Sequence, residues 1–140
     1  MNDDSSELMA KAEQYLKLCE ERQLDEAATY LAPGVQLVFP GTARYGNVAD
    51  MVAASTGRYR SIRKERIDYT VGTRKSDGSS VVVSTGTLNG TACDGSTFDG
   101  IRYVDVFVFR DGLIAEQHVF NDLAESGVLN GAGDLSRRNQ

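Results

Sequence analysis

The second half of the chain is cut into short β-rich runs by five dipeptides that favour tight turns: Asp77-Gly78, Asn89-Gly90, Asp94-Gly95, Asp99-Gly100 and Asp111-Gly112. Asp, Asn and Gly tolerate the positive φ that hairpin turns demand, so residues 66–73, 80–88, 101–110 and 113–120 read as strands of an antiparallel sheet. The first half has another period. Leu8, Ala12, Tyr15, Leu16 and Cys19 recur at spacings of three and four, which places them on one buried stripe of a helix with Ser5 or Ser6 as its cap. Residues 24–31 predict a second short helix closed by Pro33 and Gly34, and 35–39 a strand stopped by Pro40. Asn47 is placed to cap a third helix ending near Gly57. Helices first and consecutive strands afterwards is the order of an α+β fold in which helices cover one face of a curved sheet.

With 140 residues, 41% of them hydrophobic and 25% charged, the chain suits one domain and leaves no case for wholesale disorder. We expect a single domain over 1–129 and a loose tail over 130–140, with a last helical turn within 122–129. No apolar run reaches the roughly 20 residues of a membrane span, and residues 1–7 are acidic and polar, so no membrane partner and a cytoplasmic location are expected. Two cysteines without close-spaced partners and a single histidine, His118, argue against a disulfide scaffold or a zinc site. A net charge of −5 opposes a phosphate backbone, so nucleic acid is not an expected partner. The cluster Arg58, Arg60, Arg63, Lys64 and Arg66 reads as a solvated helix end running into a strand. No phosphate loop, dinucleotide fingerprint or nucleophile elbow occurs, and Asn89-Gly90-Thr91 matches a glycosylation acceptor in a chain that shows no secretion signal.

Residues 101–110 are the most informative segment. Alternation sets Ile101, Tyr103, Asp105, Phe107 and Phe109 on one face and Val104, Val106 and Val108 on the other. Asp105 is thus a carboxyl group among apolar neighbours, where it is protonated, hydrogen-bonded or open to a wet pocket. A backbone-satisfied core aspartate answers the same pattern. Tyr15, on the helix stripe above that face, is a buried phenol in need of a partner. His118 shares a strand face with Ile114, Glu116 and Phe120, and reads as an imidazole paired with Glu116 at a sheet surface or subunit contact.

The order of elements, together with the stretch from Val104 through Asp105, Arg110, Asp111 and Gly112 to Ile114, resembles the nuclear transport factor 2-like superfamily, with its SnoaL-like and ketosteroid isomerase-like members. Gln23-Leu24-Asp25, Tyr45-Gly46-Asn47 and His118-Val119-Phe120-Asn121-Asp122 add weaker support. The resemblance implies a cystatin-like α+β cone, an internal apolar cavity, and a homodimer through the outer face of the sheet. Residue by residue, Tyr15 and Asp105 match the two oxyanion donors of ketosteroid isomerases, in which an apolar site keeps a carboxylic acid neutral so that it can donate. The general-base position of those enzymes matches Phe39, just before Pro40. The acid/base aspartate of SnoaL-type polyketide cyclases matches Val119.

What the resemblance implies is a pocket lined by Phe39, Tyr103, Phe107, Gln117 and Val119. Its occupant would be a small apolar carbonyl compound, acted on by cofactor-independent proton transfer of isomerase or cyclase type. The base would be Asp105 itself or a carboxylate such as Asp50 or Asp68. A non-catalytic ligand-binding or dimerisation domain of the same fold is the alternative.

Overall fold

A computed structural model describes residues 2–131, and side chains from 5 to 129; the expected tail falls almost wholly outside these. Helix α1 spans Asn2–Glu20, so Ser5 and Ser6 lie inside it and do not cap it. Ala12, Tyr15, Leu16 and Leu18 are buried along its inner face. Helix α2, Leu24–Ala28, is shorter than its apolar pattern predicts. The chain leaves it at Thr29 and enters strand β1, Leu31–Phe39. Pro33 and Gly34 therefore do not end a helix. They sit in an irregularity of β1 between Leu31, opposite Ile114, and Gln36, opposite Glu116, where a proline without an N–H costs the ladder nothing.

A 3-10 turn at Pro40–Thr42 leads into β2, Ala43–Tyr45, and then into α3, Val48–Ser55. Asn47 caps α3 as expected, its side chain accepting from the Asp50 N–H at 2.8 Å. Four long strands follow: β3 (Ser61–Thr73), β4 (Ser80–Thr91), β5 (Thr97–Arg110) and β6 (Leu113–Asn121). The six strands form one sheet in the order β2-β1-β6-β5-β4-β3, antiparallel except for the β1–β6 pair. The sheet is curved and unclosed, with the helices packed on it: the α+β cone of the nuclear transport factor 2-like fold. Turns after β6 end in a 3-10 segment, Val128–Gly131. No helix among the described residues is long and apolar enough to cross a membrane.

Only three of the five turn dipeptides lie in turns. Asn89-Gly90 and Asp99-Gly100 are inside β4 and β5, where the register shifts between Leu88 and Gly90. Glycine serves close approach there as well. A Cβ on Gly90 would stand 2.1 Å from the Ser61 carbonyl oxygen, and one on Gly86 2.0 Å from that of Glu65. Side chains at these positions would push β3 off β4, so the glycines and the bulges let the sheet bend sharply over its concave face.

That face meets α1 in the main core, which includes Tyr15, Leu37, Val82, Phe107 and Ile114. A second cluster, Leu88, Tyr103, Leu123 and Leu129, closes the other end. Ile114 is on the inner face and not beside His118, because an extra residue in β6 shifts the register between Val108 and Phe109 and inverts the alternation.

Candidate active site

Beneath α1 and α3 the concave face leaves a cavity of about 110 Å³. Its wall is largely apolar and includes Leu16, Phe39, Tyr45, Met51, Val52, Ile62, Leu88, Val119 and Leu123. Tyr15, Gln117, Lys64, Glu20, Arg22 and Arg58 bring polar groups to it. Of the expected pocket residues, Phe39, Gln117 and Val119 line the cavity, whereas Tyr103 and Phe107 stand behind its wall. Phe107 packs edge-on to Tyr15, with ring centroids 6.0 Å apart. Tyr103 lies under Lys64, whose ammonium is 4.9 Å from the ring centroid, and its hydroxyl is 3.1 Å from Ser84 Oγ.

Tyr15 Oη donates to Gln117 Oε1 at 3.1 Å, joining α1 to β6 across the cavity. Burial raises its phenol well above the ordinary value, so the proton stays available for donation. Asp105 is fully buried and lies behind the cavity wall. One of its oxygens accepts from Lys64 Nζ, and the other, Oδ1, has no hydrogen-bond partner. Burial raises the carboxyl group despite the neighbouring cation. Burial acts to lower the lysine, yet the charge and hydrogen bond of Asp105 hold it above its ordinary value. Lys64 therefore stays an ammonium, and the pair is a buried ion pair with the cation toward the cavity.

The basic cluster runs from a helix end into a strand as expected, but it is only partly solvated. Ser61 begins β3, and alternation from Ile62 carries Lys64 and Arg66 inward while Arg63 and Glu65 face water. A bulge between Arg66 and Asp68 turns Ile67 outward, 65% exposed, and resumes the inner face at Tyr69 and Val71. Arg66 Nη1 donates to Glu20 Oε2 at 2.6 Å, fixing the one carboxylate that lines the cavity among the described residues. Residue types hid these groups, but one signal was present: Ile62, Lys64 and Arg66 have the spacing of a strand face, and Glu20 follows Leu16 by four on the helix stripe. Asp50 and Asp68, the carboxylates expected as bases, are exposed and do not line the cavity.

His118 lies on the convex side, with Nε2 at 2.9 Å from Glu116 Oε1. Glu116 also accepts from Arg74 and Arg110 at 3.2 and 3.3 Å. The pairing of His118 with Glu116 is thus as the sequence predicts, and it is remote from the cavity.

A curved, helix-covered sheet over an apolar cavity is the architecture of the nuclear transport factor 2-like fold. The model of the SnoaL-like domain family matches residues 12–117, and the chain belongs to that family. Solved structures of the same fold include a nuclear transport factor 2-like protein of unknown function from Burkholderia pseudomallei, 18% identical, with a TM-score of 0.73 over 88% of this chain and 96% of that one. TerC, crystallised with polyporic acid, is 17% identical, with a TM-score of 0.72 over 88% of this chain and 97% of its own. A candidate SnoaL-like polyketide cyclase from Jannaschia sp. is also 17% identical, with a TM-score of 0.71 over 90% and 93%. No curated protein matches the sequence.

Proposed function

We propose that this chain is a SnoaL-like enzyme of isomerase or cyclase type. It takes a small, mostly apolar, carbonyl-containing molecule and moves a proton on it with its own side chains. The observation that carries the reading is the meeting of Tyr15, Lys64 and Glu20 at one apolar cavity. Removing a proton next to a carbonyl builds negative charge on its oxygen, and donors fixed in a dry site stabilise that charge far better than water does. Tyr15 is one donor, its hydroxyl passing from Gln117 to the ligand oxygen. Asp105 contributes the second by holding the Lys64 ammonium at the cavity.

Glu20 is the proton acceptor in this reading, held by Arg66. Phe39 and Val119, which occupy the usual acid/base positions, serve as apolar wall. A positioned base contributes about 10²- to 10⁴-fold in rate. The test is α-proton exchange of cyclohexanone in deuterated buffer, followed by proton NMR. The protein should accelerate exchange, with Glu20→Gln losing about 10²-fold or more and Tyr15→Phe about tenfold. Exchange no faster than in buffer, with the ketone still bound in the cavity, would favour a ligand-binding domain without catalysis.

For assembly we propose a homodimer across the convex face of the sheet. Val81, Val83, Val106 and His118 surround a shallow depression there, and Phe120 is 58% exposed. Val108 is already buried within the single chain and adds little to that patch.

A further inference from the structure

The chain as a whole has a net charge of −5, and the cavity inverts that balance. Arg22, Arg58 and Lys64 line it against one carboxylate, Glu20. Two ion pairs cancel within the site, Lys64 with Asp105 and Arg66 with Glu20. Arg22 and Arg58 are left without a carboxylate in ion-pair range among the described residues.

Arg22 is exposed and donates to the Cys19 carbonyl at 2.6 Å, which folds its side chain back onto the end of α1. Arg58, in the loop from α3 to β3, is half-buried, and no hydrogen bond from its guanidinium to a described residue is present. A partly desolvated guanidinium with no counter-charge is a poor structural device and a good receptor for a planar anion, which it grips with two parallel N–H donors.

On the reading proposed above, we infer that the molecule taken into this cavity is an acid. Besides the carbonyl that reacts, it carries a carboxylate or enolic oxygen directed at Arg58, with Arg22 beside it. Its apolar body lies against Phe39, Met51, Leu88 and Val119. Lys64 cannot supply this counter-charge because Asp105 already neutralises it. That leaves Lys64 its remaining N–H donors for the reacting oxygen, and the arginines the net charge the ligand brings. The apolar part is small: an apolar cavity of about 150 Å³ holds a benzene, so the cavity of about 110 Å³ takes at most a single ring, and that only with some adjustment of its walls.

Benzoate and benzamide share ring and shape and differ in charge, which makes them suitable probes. Each is titrated into the isotope-labelled full chain at pH 7 and low salt, and the amide shifts of cavity residues such as Leu88 and Val119 are followed by NMR. Benzoate should bind at least about fivefold more tightly than benzamide. Arg58→Gln should cost benzoate about five- to tenfold, leave benzamide within about twofold, and be partly rescued by Arg58→Lys, with added salt shrinking the preference. Arg22→Gln, at an exposed position, is a second variant that should lower benzoate affinity less.

Equal affinities for the two probes, or an Arg58→Gln that weakens both alike, would overturn the acid inference and leave the cavity a binding site. If neither probe moves the cavity amides, the binding-site reading falls and this inference falls with it. The dispersion of each variant's own spectrum reports whether it has folded.

Discussion

Lys64 on β3 and Asp105 on β5, with β4 between them, form an ion pair beneath the cavity. Asp105 is fully buried, and the lysine side chain keeps 15% of its exposure. Taking both charges out of water is costly, and their attraction repays it only while both are present. Lys64→Met and Asp105→Asn should therefore each destabilise by about 3–5 kcal/mol, since either leaves one charge buried and unpaired. The double variant Lys64→Met/Asp105→Asn should lose less than the sum of the two. Urea unfolding at pH 7 measures all three, and additive losses would show that the two residues are not coupled.

Phe39 stands in the cavity wall, edge-on to Tyr45 with centroids 5.8 Å apart. Phe39→Asp places a carboxylate at the position that the resemblance to ketosteroid isomerases assigns to a general base. Truncating a buried aromatic costs about 3–5 kcal/mol, and half-buried Phe39 should lie at the low end, so folding is confirmed first. The folded variant should convert 3-cyclohexenone to its conjugated isomer measurably faster than the parent, read by ultraviolet absorbance. A folded variant that binds the ketone without any gain would mean Tyr15 and Lys64 are not aimed at its oxygen.

The convex face predicts a pH response. The hydrogen bond from His118, with further help from Arg74, holds the Glu116 carboxyl below its ordinary value of 4.5. A carboxylate with a depressed folded pKa binds fewer protons in the folded state than in the unfolded chain. Its stabilisation is therefore complete above about pH 4.5 and is lost as pH falls through the folded value. Glu116→Gln should lower the urea midpoint at pH 7 and flatten the decline between pH 5 and 3. An unchanged acid limb would place the acid sensitivity elsewhere.

Assembly is tested on the same face. Val106→Asp puts a charge in the centre of the patch formed with Val81 and Val83, where a dimer would have to take it out of water. Light scattering at micromolar concentration should give a dimer mass for the parent and a monomer mass for the variant. A monomeric parent would end the proposal.

The elements that rest on local chemistry are legible in the residues themselves. The helix stripe through Tyr15 and Leu16, the Asn47 cap and the alternation that buries Tyr103, Asp105 and Phe107 follow from periodicity and short-range hydrogen bonding, which neighbours a few residues apart decide. What depends on register between strands emerges only when the sheet is assembled. A bulge in β6 moved Ile114 away from His118, and another in β3 turned Ile67 outward, though the residues give no local notice of an unpaired insertion.

The same holds for the site. Lys64 and Arg66 look like surface residues until β3 is laid across β4 and under α1, which brings Lys64 to Asp105 from 41 residues away and Arg66 to Glu20 from 46. Buried charges of opposite sign are stable only in pairs, and that pairing is a property of the assembled sheet, which no single stretch of chain displays.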